Sequence, residues 1–167
     1  MKQKLALSCA LIHAPSVLFL DEPTTGVDPS SRREFWDMLT RLREHNITII
    51  VSTAYMDEAS HCDRVAMMNN GRFISTDTPF NIIRKFDKTL LAIRADNMFQ
   101  LLNDIRRLDF VDSCYTFGEY HHATINQQVS NNIKEKMEQI LTQYHHTNLH
   151  INECTTTLED CFILYSR

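Results

Sequence analysis

Two adjacent carboxylates at the end of an apolar run are the residues of this chain best suited to chemistry. Val17–Leu20 is an uninterrupted apolar stretch, followed directly by Asp21, Glu22 and Pro23. Four apolar residues in a row predict a strand buried on both faces, and the proline cannot continue its ladder. In open α/β sheets, ligands bind beyond the carboxyl ends of the strands. The pair is therefore placed to hold a hydrated Mg²⁺ and to orient a water for attack on a phosphate.

A strand–helix–strand unit is predicted to position this pair. Asp28-Pro29 indicates a helix start, and Ser31 and Glu34 have the spacing of a capping box. Ile47–Val51 is a second apolar run rich in β-branched residues and predicts another buried strand. One face of the helix between the strands is predicted to pack inward through Phe35, Leu39 and Leu42. This order of elements is typical of a right-handed βαβ unit.

Shorter patterns surround this unit. Residues 4–13 are apolar almost all round and predict a buried helix. Tyr55–His61 predicts a short helix with its acidic residues on the exposed side. Asn70-Gly71 favours a type I′ turn between two strands, and Thr78-Pro79 begins a helix that reaches about Phe86.

The pattern changes after Lys88 to the order βαββαβ, which is the split βαβ or ferredoxin-like arrangement. Thr156 and Glu159 have the spacing of a capping box for a short closing helix. We therefore predict a boundary near residues 86–88, between domains 1–86 and 87–167. The strands are predicted at Thr89–Arg94, Val111–Phe117, Tyr120–Ile125 and Leu149–Ile151, and the helical stripes at Met98–Ile105 and Ile133–Tyr144.

Composition narrows the class of protein. The chain has 167 residues, 43% of them apolar, and a formal net charge of −4, which argues against a nucleic-acid partner. None of its apolar stretches is long enough to span a bilayer. Its five cysteines are odd in number and lack a C-x-x-C spacing, so reduced thiols are expected. The neighbours His121 and His122 would point to opposite faces of a strand and could not chelate a metal together.

The run from Val17 to Pro29 resembles the Walker B and D-loop segment of ATP-binding cassette (ABC) ATPases. The resemblance implies that Asp21 organises Mg²⁺ through water, that Glu22 is the catalytic carboxylate, and that Asp28 lies at the interface between two ATPase domains. Val51–Ala59 is similar to the switch segment of the family, and residues 1–7 are similar to the helix after its signature loop. The tail through Ile163 resembles the C-terminal extension of drug-exporter and multidrug-type members.

The resemblance implies an α/β fold, namely part of a P-loop ATPase core followed by a ferredoxin-like extension. The implied function is that of the ATP-binding and ATP-hydrolysing subunit of an exporter, with ATP and Mg²⁺ as cofactors. The implied partners are a transmembrane permease and a second ATPase domain, on the cytoplasmic face of the membrane.

The sequence departs from the family pattern in two ways. It contains no G-x-x-x-x-G-K-[ST], so we expect the C-terminal part of an ATPase domain that is inactive by itself. Ala54 stands where the family carries its switch histidine, and a methyl group cannot contact a γ-phosphate. A non-catalytic remnant or interaction module is therefore the alternative function. A non-transport ABC ATPase acting on ribosomes or DNA is a third, which the acidic balance disfavours.

Overall fold

The computed structural model describes residues 2–126 and 132–166 and has a mixed α/β fold. The chain divides into two compact units, residues 1–65 and 66–167. Met1, the first residue of the segment compared with the post-signature helix, lies outside the described residues. The predicted boundary near residues 86–88 concerns independent folding and stays a prediction.

The first unit is built around a parallel pair of strands. Its elements are α1 (Lys2–Leu11), β1 (Val17–Asp21), α2 (Pro29–Glu44), β2 (Thr48–Ser52) and α3 (Met56–Ala59). Strand β1 pairs with β2 in parallel, so that Asp21 lies opposite Ser52. The predicted strand–helix–strand order with parallel strands is confirmed.

Only one face of this strand pair is covered. Leu18 of β1 is buried with Leu7 of α1 and with Phe35 and Leu39 of α2. On the other face Phe19 is 73% exposed and Ile50 is 49% exposed. The prediction that both strands are buried on both faces is therefore wrong, because the helices of this unit pack on one side only.

Helix α1 shows the same one-sided packing. Its Leu7 is 2% exposed, whereas Leu5 is 68% exposed and Ile12, just past its end, is 76% exposed. The prediction of a buried helix over residues 4–13 is wrong. Apolar composition alone does not indicate which side of a helix meets a partner.

Helix α2 begins at the predicted residues but is capped differently. The carboxylate of Asp28 accepts a hydrogen bond from the backbone N–H of Ser31 at 3.0 Å, and Pro29 occupies the first turn. The predicted capping box of Ser31 and Glu34 is wrong, because the N-cap lies three residues before Ser31.

The second unit contains a hairpin and a larger sheet. In the hairpin, the turn residues Asn70 and Gly71 have φ of 49° and 73°, as a type I′ turn requires. The described elements are β3 (Val65–Asn69, whose first residue closes the first unit), β4 (Arg72–Asp77), α4 (Pro79–Arg84), β5 (Thr89–Arg94), α5 (Met98–Ile105), β6 (Val111–Phe117), β7 (Tyr120–Ile125), α6 (Ile133–Gln143), β8 (His150–Glu153) and α7 (Leu158–Tyr165).

The larger sheet has the strand order β6–β7–β5–β8, and each neighbouring pair is antiparallel. Its core joins apolar residues of the strands to the inward faces of α5 and α6. The fully buried members of this core are Leu91, Ile93, Leu101, Ile105, Ala123, Met137 and Leu141.

Helix α7 begins with a capping box that lies one residue later than predicted. The Thr157 hydroxyl and backbone N–H bond to the carboxylate of Asp160, and Asp160 N–H donates to the Thr157 hydroxyl. The predicted pair Thr156 and Glu159 is wrong, because the spacing i, i+3 fits both pairs and only the first turn of the helix selects one.

The neighbouring histidines of β7 contact different elements, as expected for successive residues on a strand. His121 Nε2 lies 2.7 Å from the carbonyl oxygen of Met98, and His122 Nδ1 lies 2.7 Å from Asp160 Oδ1. Within residues 2–126 and 132–166, no helix is both long and apolar enough to cross a bilayer.

Candidate functional site

The acidic pair lies at the carboxyl end of the parallel strands. Asp21 is the last residue of β1, Glu22 follows it, and both are exposed. The backbone N–H of Glu22 donates to the carbonyl oxygen of Ser52 at 3.1 Å and to Ser52 Oγ at 2.9 Å. The last residue of β2 therefore holds the backbone of Glu22 beside the sheet.

Ser52 also binds the side chain of Asp21. Its hydroxyl donates to Asp21 Oδ1 at 2.5 Å, and Thr25 Oγ1 donates to Glu22 Oε2 at 3.1 Å. Each carboxylate is thus oriented by one neighbouring hydroxyl while it faces solvent. Both Ser52 and Thr25 were missed by the sequence analysis as partners, although the parallel pairing would have placed Ser52 opposite Asp21.

Glu22 adopts a left-handed backbone conformation, with φ of 43°. This region is unfavourable for residues with a Cβ atom and costs about 1–2 kcal/mol. Such strain persists only where surrounding contacts impose it, and it concentrates at functional sites. The two hydrogen bonds from Glu22 N–H to Ser52 are contacts of this kind.

The other two predicted site residues lie on the loops that follow the strands. Ala54 is exposed, two residues beyond the end of β2, at the same edge of the sheet as Asp21 and Glu22. Asp28 closes the loop after β1 and caps α2. The backbone N–H of Ser31, together with its side chain, lowers the pKa of Asp28, so this carboxylate is charged at neutral pH.

A buried cluster behind these loops was missed by the sequence analysis. Glu58 of α3 is 2% exposed, and the prediction that the acidic residues of this helix are exposed is wrong for it, although it is right for Asp57. Glu58 Oε2 accepts hydrogen bonds from Thr24 Oγ1 at 2.9 Å and from Thr53 Oγ1 at 2.7 Å. The sequence contained a signal for this cluster, namely one threonine in the loop after each strand and a glutamate five residues after the second threonine.

The first 53 residues match a family model described as "AAA domain, putative AbiEii toxin, Type IV TA system". The matched segment includes the acidic pair Asp21 and Glu22.

Curated relatives define the family more closely. The probable multidrug ABC transporter ATP-binding protein YbhF of Escherichia coli (strain K12) is 51% identical over 78 residues, which are 47% of this chain and 14% of the relative. The Nod factor export ATP-binding protein I of Neorhizobium galegae is 32% identical over 98% of this chain and 45% of the relative. The daunorubicin/doxorubicin resistance ATP-binding protein DrrA of Streptomyces peucetius is 36% identical over 56% of this chain and 29% of the relative.

The homologues of this chain are therefore ATP-binding proteins of ABC transporters. The chain spans less than half the length of the curated relatives described above.

Proposed function

We propose that this chain supplies the C-terminal part of the ATP-binding and ATP-hydrolysing subunit of an ABC exporter. The observation that carries the proposal is the exposed acidic pair at the carboxyl end of parallel strands, with the strained backbone of Glu22 held by Ser52. The relatives are named for a multidrug transporter, for daunorubicin/doxorubicin resistance and for Nod factor export, which supports an export function.

In this proposal Asp21 holds Mg²⁺ through water, and Glu22 polarises the water that attacks the γ-phosphate. The donor set fits, because Mg²⁺ prefers carboxylate and water oxygens and both carboxylates are exposed. When bound, Mg-ATP supplies the phosphoryl group and the metal neutralises its charge. Asp28 lies at the interface with a second ATPase domain, and Ala54 occupies a degenerate switch position.

The proposed architecture is part of a P-loop ATPase core followed by a ferredoxin-like extension. The parallel pairing of β1 with β2 supports the first part. The strand order β6–β7–β5–β8, in the element order βαββαβ, supports the second. The proposed partners are a transmembrane permease and a second ATPase domain on the cytoplasmic face of the membrane.

The second candidate function is a non-catalytic remnant or interaction module. Ala54 favours it, because an exposed methyl group stands at the switch position.

A chimera separates the two candidates. The chain replaces the matching part of the Neorhizobium galegae Nod factor export ATP-binding protein I, which aligns with 98% of it. We expect Mg-dependent phosphate release from the chimera and its loss in Glu22→Gln, by about 10²-fold or more. Glu44→Gln, an exposed glutamate at the end of α2, is the matched control. A folded chimera without activity overturns the proposal and supports the remnant.

A further inference from the structure

Glu58 forms a buried link between the two loops that follow the strands. The hydroxyls of Thr24 and Thr53 both donate a hydrogen bond to the same atom, Glu58 Oε2. Thr24 is 1% exposed, so the link to the loop after β1 is shielded from water. A buried carboxylate is tolerated only where hydrogen bonds and a positive charge compensate for lost hydration.

Arg32 of α2 supplies that charge. Its Nε lies 3.4 Å from Glu58 Oε1, and both atoms are buried and lack any other hydrogen-bond partner among the described residues. The guanidinium also lies over the ring of Tyr55, 4.1 Å from its centroid. The carboxylate is therefore anchored to α2 by one oxygen and to both loops by the other.

The two threonines flank the residues of the candidate site. Thr24 follows Glu22 by two residues, and Thr53 directly precedes Ala54. Thr53 Oγ1 also accepts a hydrogen bond from Tyr55 N–H at 3.1 Å, so the hydroxyl that binds Glu58 shapes the turn at position 54 as well. A movement of either loop would stretch a hydrogen bond to Glu58.

We propose that Glu58 is a positioning residue that keeps the loop after β1 and the loop after β2 in register. Through Thr24 and Thr53 it holds Glu22 and position 54 at their relative placement, and it does not contact the reacting atoms. The catalytic consequence of this role rests on the proposed function, whereas the coupling between the loops does not.

Amide hydrogen exchange of the full chain, resolved by NMR, tests the coupling. Thr53→Val removes the hydroxyl from the second loop and keeps the shape of the side chain. We expect exchange of the Thr25 amide, which donates to the Glu22 carbonyl in the first loop, to become about tenfold faster or more, as expected for a lost hydrogen bond to a charged group. The matched control is Asp57→Asn, because Asp57 is the exposed neighbour of Glu58 and its Oδ2 lies 4.0 Å from Arg32 Nη1.

A variant of Glu58 itself gives the second comparison. Glu58→Gln keeps one acceptor oxygen for the hydroxyls, so it should accelerate exchange in both loops less than Glu58→Ala does. The proposal is overturned if Thr53→Val accelerates exchange of the Tyr55 amide only. It is also overturned if Glu58→Ala accelerates amide exchange in the two loops no more than Asp57→Asn does. If Glu58→Ala does not fold, Thr53→Val alone decides the question.

Kinetics of the chimera separate this role from the proposed function. Glu58→Gln should lower kcat about tenfold and leave KM for Mg-ATP nearly unchanged, because a displaced Glu22 affects the transition state more than ground-state binding. An unchanged kcat with a raised KM contradicts the positioning role. A folded chimera without any hydrolysis overturns the proposed function, while the exchange comparison still decides whether Glu58 couples the loops.

Discussion

Glu22 combines an exposed carboxylate with a strained backbone. Its φ of 43° places a residue with a Cβ atom in the left-handed region, and its N–H donates two hydrogen bonds to Ser52. The sequence indicated the carboxylate through its position after an apolar run. It did not indicate the strain, because the hydrogen bonds that hold this conformation run from Glu22 to a strand residue thirty positions away in the chain.

Glu22→Gly should stabilise the full chain while it removes the proposed catalytic group. Glycine adopts positive φ without steric cost, so we expect the free energy of unfolding to rise by about 1 kcal/mol in urea denaturation. Glu22→Ala, which keeps a Cβ atom, is the control and should not stabilise. A Glu22→Gly variant no more stable than Glu22→Ala would show that the backbone there is not strained.

Ala54→His should raise the hydrolysis rate of the chimera. A restored hydrogen bond to a charged phosphate contributes roughly 1.5–3 kcal/mol, which corresponds to about ten- to a hundredfold in turnover. The alternative is that Thr53 or Tyr55 already fills this role. The structure argues against it, because the Thr53 hydroxyl binds Glu58 and the Tyr55 ring packs under Arg32.

Steady-state phosphate release from the chimera and from its Ala54→His and Glu22→Gln variants measures this effect. Glu22→Gln should abolish release with either residue at position 54. An unchanged or lower rate of phosphate release in Ala54→His contradicts the interpretation that the residue at position 54 limits hydrolysis.

At the scale of elements, the start of α7 is tied to the sheet of the second unit through one carboxylate. Asp160 is 1% exposed and accepts hydrogen bonds from Thr157, His122 and Tyr115. Burial raises the pKa of Asp160, but the hydrogen bonds from His122, Thr157 and Tyr115 outweigh it and lower the pKa to about 2. The folded chain therefore favours the ionised carboxylate, and protonation weakens the fold.

We expect the free energy of unfolding to fall by roughly 2 kcal/mol between about pH 4 and pH 2 because of Asp160. The pKa is lower in the folded state, so this stabilisation is present above the unfolded value of 3.8 and is lost as pH falls. Asp160→Asn should be less stable at neutral pH and should show a shallower acid dependence in urea denaturation. Glu159→Gln, the exposed neighbour, should keep the parent profile, and an unchanged profile in Asp160→Asn would contradict this account.

At the scale of the whole molecule, the two units differ in how completely they bury apolar surface. The first leaves Phe19 and Ile50 exposed on one face of its strands. The second buries α4 against α7, where Ile82 and Cys161 are both 0% exposed and Cys161 Sγ lies 3.8 Å from the carbonyl oxygen of Ile82. Independent stability is therefore expected of the second unit.

Three separately expressed pieces test the domain boundary. We expect residues 87–167 to be soluble and to unfold cooperatively, and residues 1–86 to aggregate through exposed apolar surface. Residues 66–167 should be more stable than residues 87–167, because they retain α4 against α7. A soluble, cooperatively unfolding piece 1–86 would contradict the predicted division, and equal stability of residues 66–167 and residues 87–167 would contradict the role of α4.

The chain alone should bind Mg-ATP too weakly to measure in the micromolar range. The phosphate-cradling loop with its lysine is not in the sequence, and the acidic pair repels a triphosphate. Calorimetric titration of the chain measures this, with the chimera as the control that should bind. Saturable micromolar binding by the chain itself contradicts the prediction.

The sequence by itself determined the order and approximate bounds of the elements. Local signals sufficed there: the apolar run before Asp21, the Asn70-Gly71 turn, and the proline after Asp28 each depend on residues adjacent in the chain. The position of the acidic pair at a strand end was predictable for the same reason.

Only the tertiary structure decided which apolar side chains are buried and which polar groups meet. Phe19 and Leu18 look alike in an apolar run, yet only Leu18 faces the helices. Glu58 looks like a surface acid, yet it is buried, and Thr24 and Thr53 of two loops and Arg32 of α2 converge on it. The burial of a side chain and its hydrogen-bond partners depend on residues distant in the chain. Periodicity and spacing describe only residues close together in the sequence.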